Sequence, residues 1–390
     1  MPNKLKDSFT KMMEQAKEWD SSDLSEARKS RRYENLISFI EEKILPYTGK
    51  DVGFKGDVFK ALGYLYDMTL NQKKASESFE KALKIYSRTK DKKGLAETHI
   101  LAGDMHRDYG RSRQALQNYE KAIEASKNTP ELSDLEAESL SGIGDLHRTR
   151  SNYKEALTHL KKAKTIYRKN KNVVGESEVL WTEGYTYIYM SRYDKAEKAF
   201  RQMIQWYEQG KVDETHRDTA TGALADIYRL TGRYEESLKL YSEAEETMDI
   251  EGYETQRAWI LAMMGHTHLQ QNKPEDAKRS ILKAENLSRK TNNDICLVWA
   301  LQAKAELQKL DGKTEEAIKI YKESNRIAKK YGMRLEIAHS HLGLAGLTGE
   351  KGTSLYEKAL SIYKDIGCRW GIRECNLRIR KQTDRPLNFP

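Results

Sequence analysis

One small residue recurs along this chain at near-constant spacing, and it constrains the fold more than any other feature. It stands at Gly63, Gly103, Gly144, Gly184, Ala225, Gly265, Ala305 and Gly343, at steps of 38 to 41 residues. Twelve residues further on, a second small residue follows at Ala75, Ala115, Ala156, Ala196, Ser237, Ala277 and Ala317. A third position, nineteen after the first, reads Ala82, Ala122, Ala163, Met203, Ala244, Ala284 and Ser324. Sixteen after the first comes a large residue: Phe79, Tyr119, Leu160, Phe200, Tyr241, Ile281 and Tyr321. Small residues at fixed offsets let two helices cross closely, and the large residue fills the space beside the crossing. The apolar period breaks around Gly110–Arg111, Gly232–Arg233 and Asn272–Pro274, so each unit reads as helix A, short turn, helix B.

Composition agrees with an array of such units. Of 390 residues, 38% are hydrophobic and 33% charged, which is polar for a compact globule, and only 6 are proline. Stacked repeats bury one face against each neighbour and solvate the rest. No apolar run approaches the roughly 20 residues that a membrane span needs. The opening stretch, MPNKLKDSFTKMMEQAKEW, is charged and amphipathic and lacks the apolar centre of a secretory signal. Cys296, Cys368 and Cys375 are odd in number and form no Cys-x-x-Cys pair, which argues against a disulfide framework or zinc site. A cytoplasmic protein with reduced thiols is expected. The net charge of +9 raises nucleic acid or an anionic membrane as partners, but the charge is spread along the chain.

The spacing of small and aromatic residues resembles the tetratricopeptide repeat family over about Gly56 to Gly367, with seven repeats matching well. The period of about 40 exceeds the family's usual 34. It resembles the longer-helix members found in Pins/LGN-type scaffolds, kinesin light chains and MalT-like or Rap-type regulators. The resemblance implies an all-α, right-handed superhelical solenoid of about eight helix-turn-helix repeats over residues 51–366. The eighth repeat is about three residues short at its turn, so a compact turn or a shifted helix is expected there. Residues 1–50 are expected to form an N-terminal helical pair, either a cap or a detachable arm. Leu5, Phe9, Met12, Ala16 and Trp19 share one helical stripe, and a break at DSSD precedes the next helix. Residues 367–390 are expected to hold a capping helix and a frayed tail.

Candidate chemistry is sparse. No His-Glu-x-x-His, Gly-rich phosphate loop or Gly-x-Ser-x-Gly elbow occurs, so no cofactor, metal or catalytic role is expected. His106, His147 and His268 share a slot with Tyr66, Tyr187 and Tyr228, which reads as packing. In the family, helix A lines the concave face, and the resemblance carries this over to Asp104, Arg107, Asp145, Arg148, Trp181, Tyr185, Asp226, Arg229, Trp259 and Trp299. Asp104/Arg107, Asp145/Arg148 and Asp226/Arg229 stand three apart, so each can pair within its helix or reach the next repeat. That ladder either satisfies itself or offers donors and acceptors to a peptide. Acidic residues outnumber basic ones in this lining, so a ligand carrying Lys or Arg is favoured. Trp259 and Trp299 are equivalent in adjacent repeats and are either inter-repeat packing or anchors for a partner. The family's chaperone-tail grooves use Lys, Asn and Arg at set positions, and only Lys60 fits here. The expected function is a scaffold or adaptor binding a protein or peptide in the groove. The alternatives are a Rap-type peptide sensor, or nucleic-acid binding through a basic convex face.

Overall fold

The computed structural model describes residues 2–20, 26–49, 51–109, 111–150, 152–247, 254–349 and 352–382. Among them are helices only, with no strand. In chain order these are α1 Pro2–Asp20, α2 Glu26–Phe39, α3 Val52–Met68, α4 Gln72–Thr89, α5 Lys92–Asp108, α6 Ser112–Ser126, α7 Ser133–Thr149, α8 Tyr153–Asn170, α9 Val173–Tyr189 and α10 Tyr193–Glu208. There follow α11 Glu214–Leu230, α12 Tyr234–Thr247, α13 Glu254–Gln270, α14 Pro274–Lys290, α15 Asp294–Leu310, α16 Thr314–Lys330, α17 Arg334–Ala345, α18 Gly352–Asp365 and α19 Arg369–Gln382. From α3 onward they alternate as helix A and helix B of an all-α repeat solenoid. The chain divides into two compact units, residues 1–149 with 154–182, and residues 150–153 with 183–390.

The recurring glycine is where helix B presses closest on helix A. A Cβ added at Gly63, Gly103, Gly144, Gly184 or Gly265 would lie 2.5–2.8 Å from Phe79, Tyr119, Leu160, Phe200 or Ile281 respectively. Those are the large residues sixteen positions on, all at most 2% exposed. A second series joins one repeat to the next. Tyr86 packs on Gly94, Tyr167 on Gly175 and Tyr363 on Gly371, each against the first turns of the following helix.

The turn after helix A is also repeated. Leu70, Ser191, Asn272, Gly232 and Gly312 stand at equivalent places, and all have φ between 54° and 82°. One residue later a backbone N–H donates back to the carbonyl four positions before the turn residue, as in Asn71 to Tyr66, Arg192 to Tyr187 and Arg233 to Tyr228, each at 2.8 Å. A left-handed residue closed by this bond ends a helix without leaving its carbonyls unpaired. Helix starts are capped by Asp51, Asn71, Asp91, Asn172 and Asn293, whose side chains accept from the backbone N–H three residues on.

Within each unit the helices A of neighbouring repeats touch: α3 with α5 and α5 with α7 in one, α11 with α13, α13 with α15 and α15 with α17 in the other. Neighbouring helices B make fewer such contacts. The A layer is therefore the inner, more closely spaced layer.

At the N-terminal end, Phe9, Ala16, Tyr33, Leu36, Ile37, Ile40 and Ile44 join one core with Phe54, Val58 and Leu62 of α3. Phe9 meets Phe54 edge-on at 5.4 Å. The described residues of α1 and α2 thus share a core with α3. The Trp19 side chain, most of the DSSD break and the tail from residue 383 lie outside the described residues. The eighth repeat does not have the compact turn: six residues, 346–351, separate α17 from α18 against three, 311–313, between α15 and α16, and the shortening falls on helix A. Its helix A, α17, has 12 residues against the 17 of α15, and a Cβ on Gly352 would run into the Ala345 carbonyl oxygen.

Candidate binding face

The paired carboxylates and guanidiniums sit on the A helices as a ladder. In the first unit, Arg107 reaches Asp104 at 2.9 Å within its own helix and Asp145 of the next repeat at 3.7 Å. Arg148 holds Asp145 at 2.6 Å and lies 5.6 Å from the centre of the Trp181 ring. In the second unit, Arg229 holds Asp226 at 2.8 Å. Lys309 and Glu306 repeat the arrangement at 3.1 Å.

A third member was missed from the sequence. The Tyr119 hydroxyl donates to Asp104 at 2.7 Å, and that of Tyr241 to Asp226 at 2.9 Å. The Tyr321 hydroxyl likewise donates to Glu306. The signal was present: tyrosine occupies the gap-filling position in those three repeats, each with an acidic residue just after the small one. Where Leu160 fills it instead, Asp145 has only arginines as partners among the described residues. Burial pushes the Asp104 carboxyl up, while Arg107 and Tyr119 pull it back, leaving it above the ordinary range. For Arg229, burial works against the charge, but Asp226 and Tyr241 outweigh it and the guanidinium is held more firmly protonated than usual.

The aromatic candidates are half-buried among these pairs. Tyr185 meets Phe200 edge-on at 5.5 Å, and Trp259 meets Tyr241 at 6.1 Å. Trp299 donates its indole N–H to Glu336 at 3.2 Å, and Gln302 of the same helix reaches the Glu336 carbonyl at 2.8 Å. Glu336 is a further residue of the A layer that the expected lining did not include.

The shared His/Tyr slot behaves as packing where it holds tyrosine. Lys74, Lys195 and Arg233 lie over the rings of Tyr66, Tyr187 and Tyr228 at 4.9, 5.6 and 3.7 Å. His147 stacks on His159 at 5.4 Å. Among the described residues no three His, Cys, Asp or Glu side chains are grouped to hold a metal, and no helix is long and apolar enough to cross a membrane.

Two layers of antiparallel helices, a repeated close crossing and a polar inner face define a helical-repeat protein of the tetratricopeptide class. A tetratricopeptide repeat family model matches residues 56–128, 134–209 and 216–290, more than half of the chain, and a second matches residues 182–249. The chain belongs to the tetratricopeptide repeat family. No curated protein sequence matches it. Among solved structures it is similar to the Rap conjugation gene regulator of the plasmid pLS20 in complex with a Phr peptide, with 14% identity and a TM-score of 0.58, covering 92% of this chain and 97% of that one. The apo form of the quorum sensor NprR from B. thuringiensis is similar at 16% identity and a TM-score of 0.58, covering 85% and 93%. A tetratricopeptide repeat protein from Parabacteroides merdae is similar at 16% identity and a TM-score of 0.51, covering 78% and 98%. These likenesses concern the fold.

Proposed function

We propose that this chain is a non-catalytic interaction scaffold that holds a protein or peptide against its A-helix face. The observation that carries the reading is that, in each unit, half-buried Asp–Arg pairs and tryptophans stand on the more closely spaced helix layer. Such a surface is preformed by stacking, so little ordering opposes binding. Its charged pairs can exchange partners with a peptide backbone or side chain, and its tryptophans supply apolar anchors. The pLS20 regulator was solved with a Phr peptide and NprR with its cognate peptide NprX, which supports a peptide as ligand. The acidic excess of the inner helices favours a ligand with Lys or Arg.

A pull-down from native extract, read by mass spectrometry, tests this. Wild type is compared with the triple variant Asp104→Asn, Asp145→Asn and Asp226→Asn. Asparagine can still accept from Tyr119 and Tyr241, and circular dichroism of the variant checks that the fold survives the loss of charge. A protein enriched by wild type alone supports the face as its site. Equal recovery by both overturns that placement, and recovery of nucleic acid alone overturns the scaffold reading.

A second reading is a peptide sensor whose shape responds to its ligand. The near-complete coverage of the pLS20 regulator favours it. Small-angle scattering that shows compaction on adding a retained peptide supports it, and an unchanged profile counts against it.

A further inference from the structure

The two units share a fold but not a charge. On the B helices of the first unit, α4, α6 and α8, basic residues outnumber acidic ones by thirteen to five. On the B helices of the second, α10, α12, α14, α16 and α18, the count is sixteen to sixteen. The surplus of the first unit's B layer nearly equals the +9 of the whole chain.

Most of that surplus stands on α8, which carries Lys154, Lys161, Lys162, Lys164, Arg168 and Lys169 against one acid, Glu155. The helix packs inward through Ala156, Leu160, Ala163 and Tyr167, all buried. Lys154, Lys161, Lys162 and Lys169 fall on the opposite side of the helical wheel and are exposed, in one stripe about 22 Å long. These four make no ion pair among the described residues, whereas Arg168 is held by Glu176 at 2.6 Å. Thr158 and Thr165 stand in the middle of the stripe, and each donates its hydroxyl to a carbonyl of its own helix at 2.9 Å. The fold does not account for the stripe. A lysine in the last turn offsets the helix dipole, which covers Lys169, but Lys154 is in the first turn, where the dipole disfavours it. Solubility needs only mixed signs, as on α14 and α16.

We propose that the outward face of α8 is a docking surface for double-stranded DNA, held by its phosphate backbone without reading its sequence. The chemistry of the face selects this occupant. Among the described residues α4, α6 and α8 expose no large apolar or aromatic side chain. A single strand therefore finds no ring on which to stack its bases, and a bilayer finds no apolar anchor beside the charge. Lysine is a point charge rather than a planar fork, and the threonine hydroxyls are already committed, so nothing reads a base edge. Attraction by charge alone remains, and a duplex suits it, with one phosphate charge per ~1.7 Å and counterions to release. This surface lies on the B layer and does not depend on the peptide reading of the A-helix face.

The test is fluorescence anisotropy of a labelled, arbitrary-sequence DNA duplex of about 20 base pairs, titrated with the full chain across a salt series. Four neutralised phosphates predict a plot of log affinity against log salt with a slope of about −4. The variant Lys154→Gln, Lys161→Gln, Lys162→Gln and Lys169→Gln is expected to flatten that slope by about 3–4 and to lose tenfold or more in affinity at about 50 mM salt, with an unchanged melting curve. A matched variant on α16, Lys319→Gln, Lys322→Gln, Arg326→Gln and Lys329→Gln, removes as much exposed charge from the second unit and is expected to keep most of the binding. No binding by wild type at about 50 mM salt overturns the surface, and so does wild-type affinity in the α8 variant. An equal loss in the α16 variant assigns the effect to net charge and overturns it too. Sedimentation with phosphatidylserine–phosphatidylcholine vesicles in place of duplex binding would make the occupant a membrane and overturn the assignment to DNA.

Discussion

At Gly103 a single methyl group is enough to collide with the Tyr119 ring, because a Cβ there would sit 2.8 Å from it. Overpacking of this kind costs about 1–3 kcal/mol. Gly103→Ala is therefore expected to lower the melting temperature, and an unchanged melt would mean the ring has room to move. Gly352→Ala is expected to be worse, since its Cβ would meet backbone oxygen rather than a side chain. Leu70 presents the opposite case. It is 77% exposed and holds φ at 58°, where Gly232 and Gly312 stand in later repeats. A left-handed conformation costs a non-glycine residue roughly 1–2 kcal/mol. Leu70→Gly is expected to recover part of that and raise thermal stability, and a lower melt would refute the argument. The tyrosine–carboxylate bonds belong to this scale too. Tyr241→Phe leaves Asp226 without its donor, and losses of this type run to about 1–3 kcal/mol. Retained stability in that variant would show that Arg229 alone satisfies the carboxylate.

Among the elements, the A helices tolerate least. Leu101 lies in the middle of α5, so Leu101→Pro removes an internal hydrogen bond and clashes with the preceding turn, at about 3 kcal/mol or more. Circular dichroism should show an early, partial melt of the neighbouring repeats, because each repeat is held only by those beside it. A single unchanged transition would contradict the stacking described here. The helix count and the crossings were legible in the sequence because a glycine opposite a large residue is a strong, local and repeated constraint. The last repeat was legible as about three residues short, but the sequence put the loss at the turn, whereas it falls on α17. The hydroxyl of Tyr119 or Tyr241 was harder to read. Its ring already explained the position as filler, so a second task for the same side chain left no separate trace. Glu336 was invisible for a related reason. It sits one residue away from the expected lining register, and only its bond to the Trp299 indole, a three-dimensional fact, marks it.

Across the whole molecule, two histidines of the second unit and one carboxyl of the first are expected to answer acid with opposite signs. In the second unit, burial and then the Arg229 charge push His266 down to about 3 and His339 to about 4, with Glu306 opposing for His339. Groups depressed this far stay neutral in the native state while the unfolded chain takes up protons, so their contribution is lost as pH falls from about 6.5 toward 4. In the first unit, burial lifts Asp67 to about 6, with Asp108 and Asp104 adding and Tyr109 opposing. The native state then binds a proton that the unfolded chain releases above pH ~4, so that contribution is present at low pH and is lost as pH rises through 6. Melts between pH 7 and 5 check both. Replacing both histidines by Gln should flatten the acid decline, and Asp67→Asn should stabilise the chain at pH 7 and remove the acid gain. Unaltered pH profiles would dismiss these assignments.

The buried phenols of Tyr86, Tyr119, Tyr241 and Tyr321, each bonded to a carboxylate, also make the chain its own optical gauge in alkali. Burial and the facing carboxylate hold all four above the ordinary tyrosine range. Exposed tyrosines should form phenolate near pH 10, giving a first rise in near-ultraviolet absorbance. The four bonded ones can follow only when their repeats come apart. Their later rise should coincide with the loss of helical ellipticity, so one absorbance trace would report how many repeats have opened.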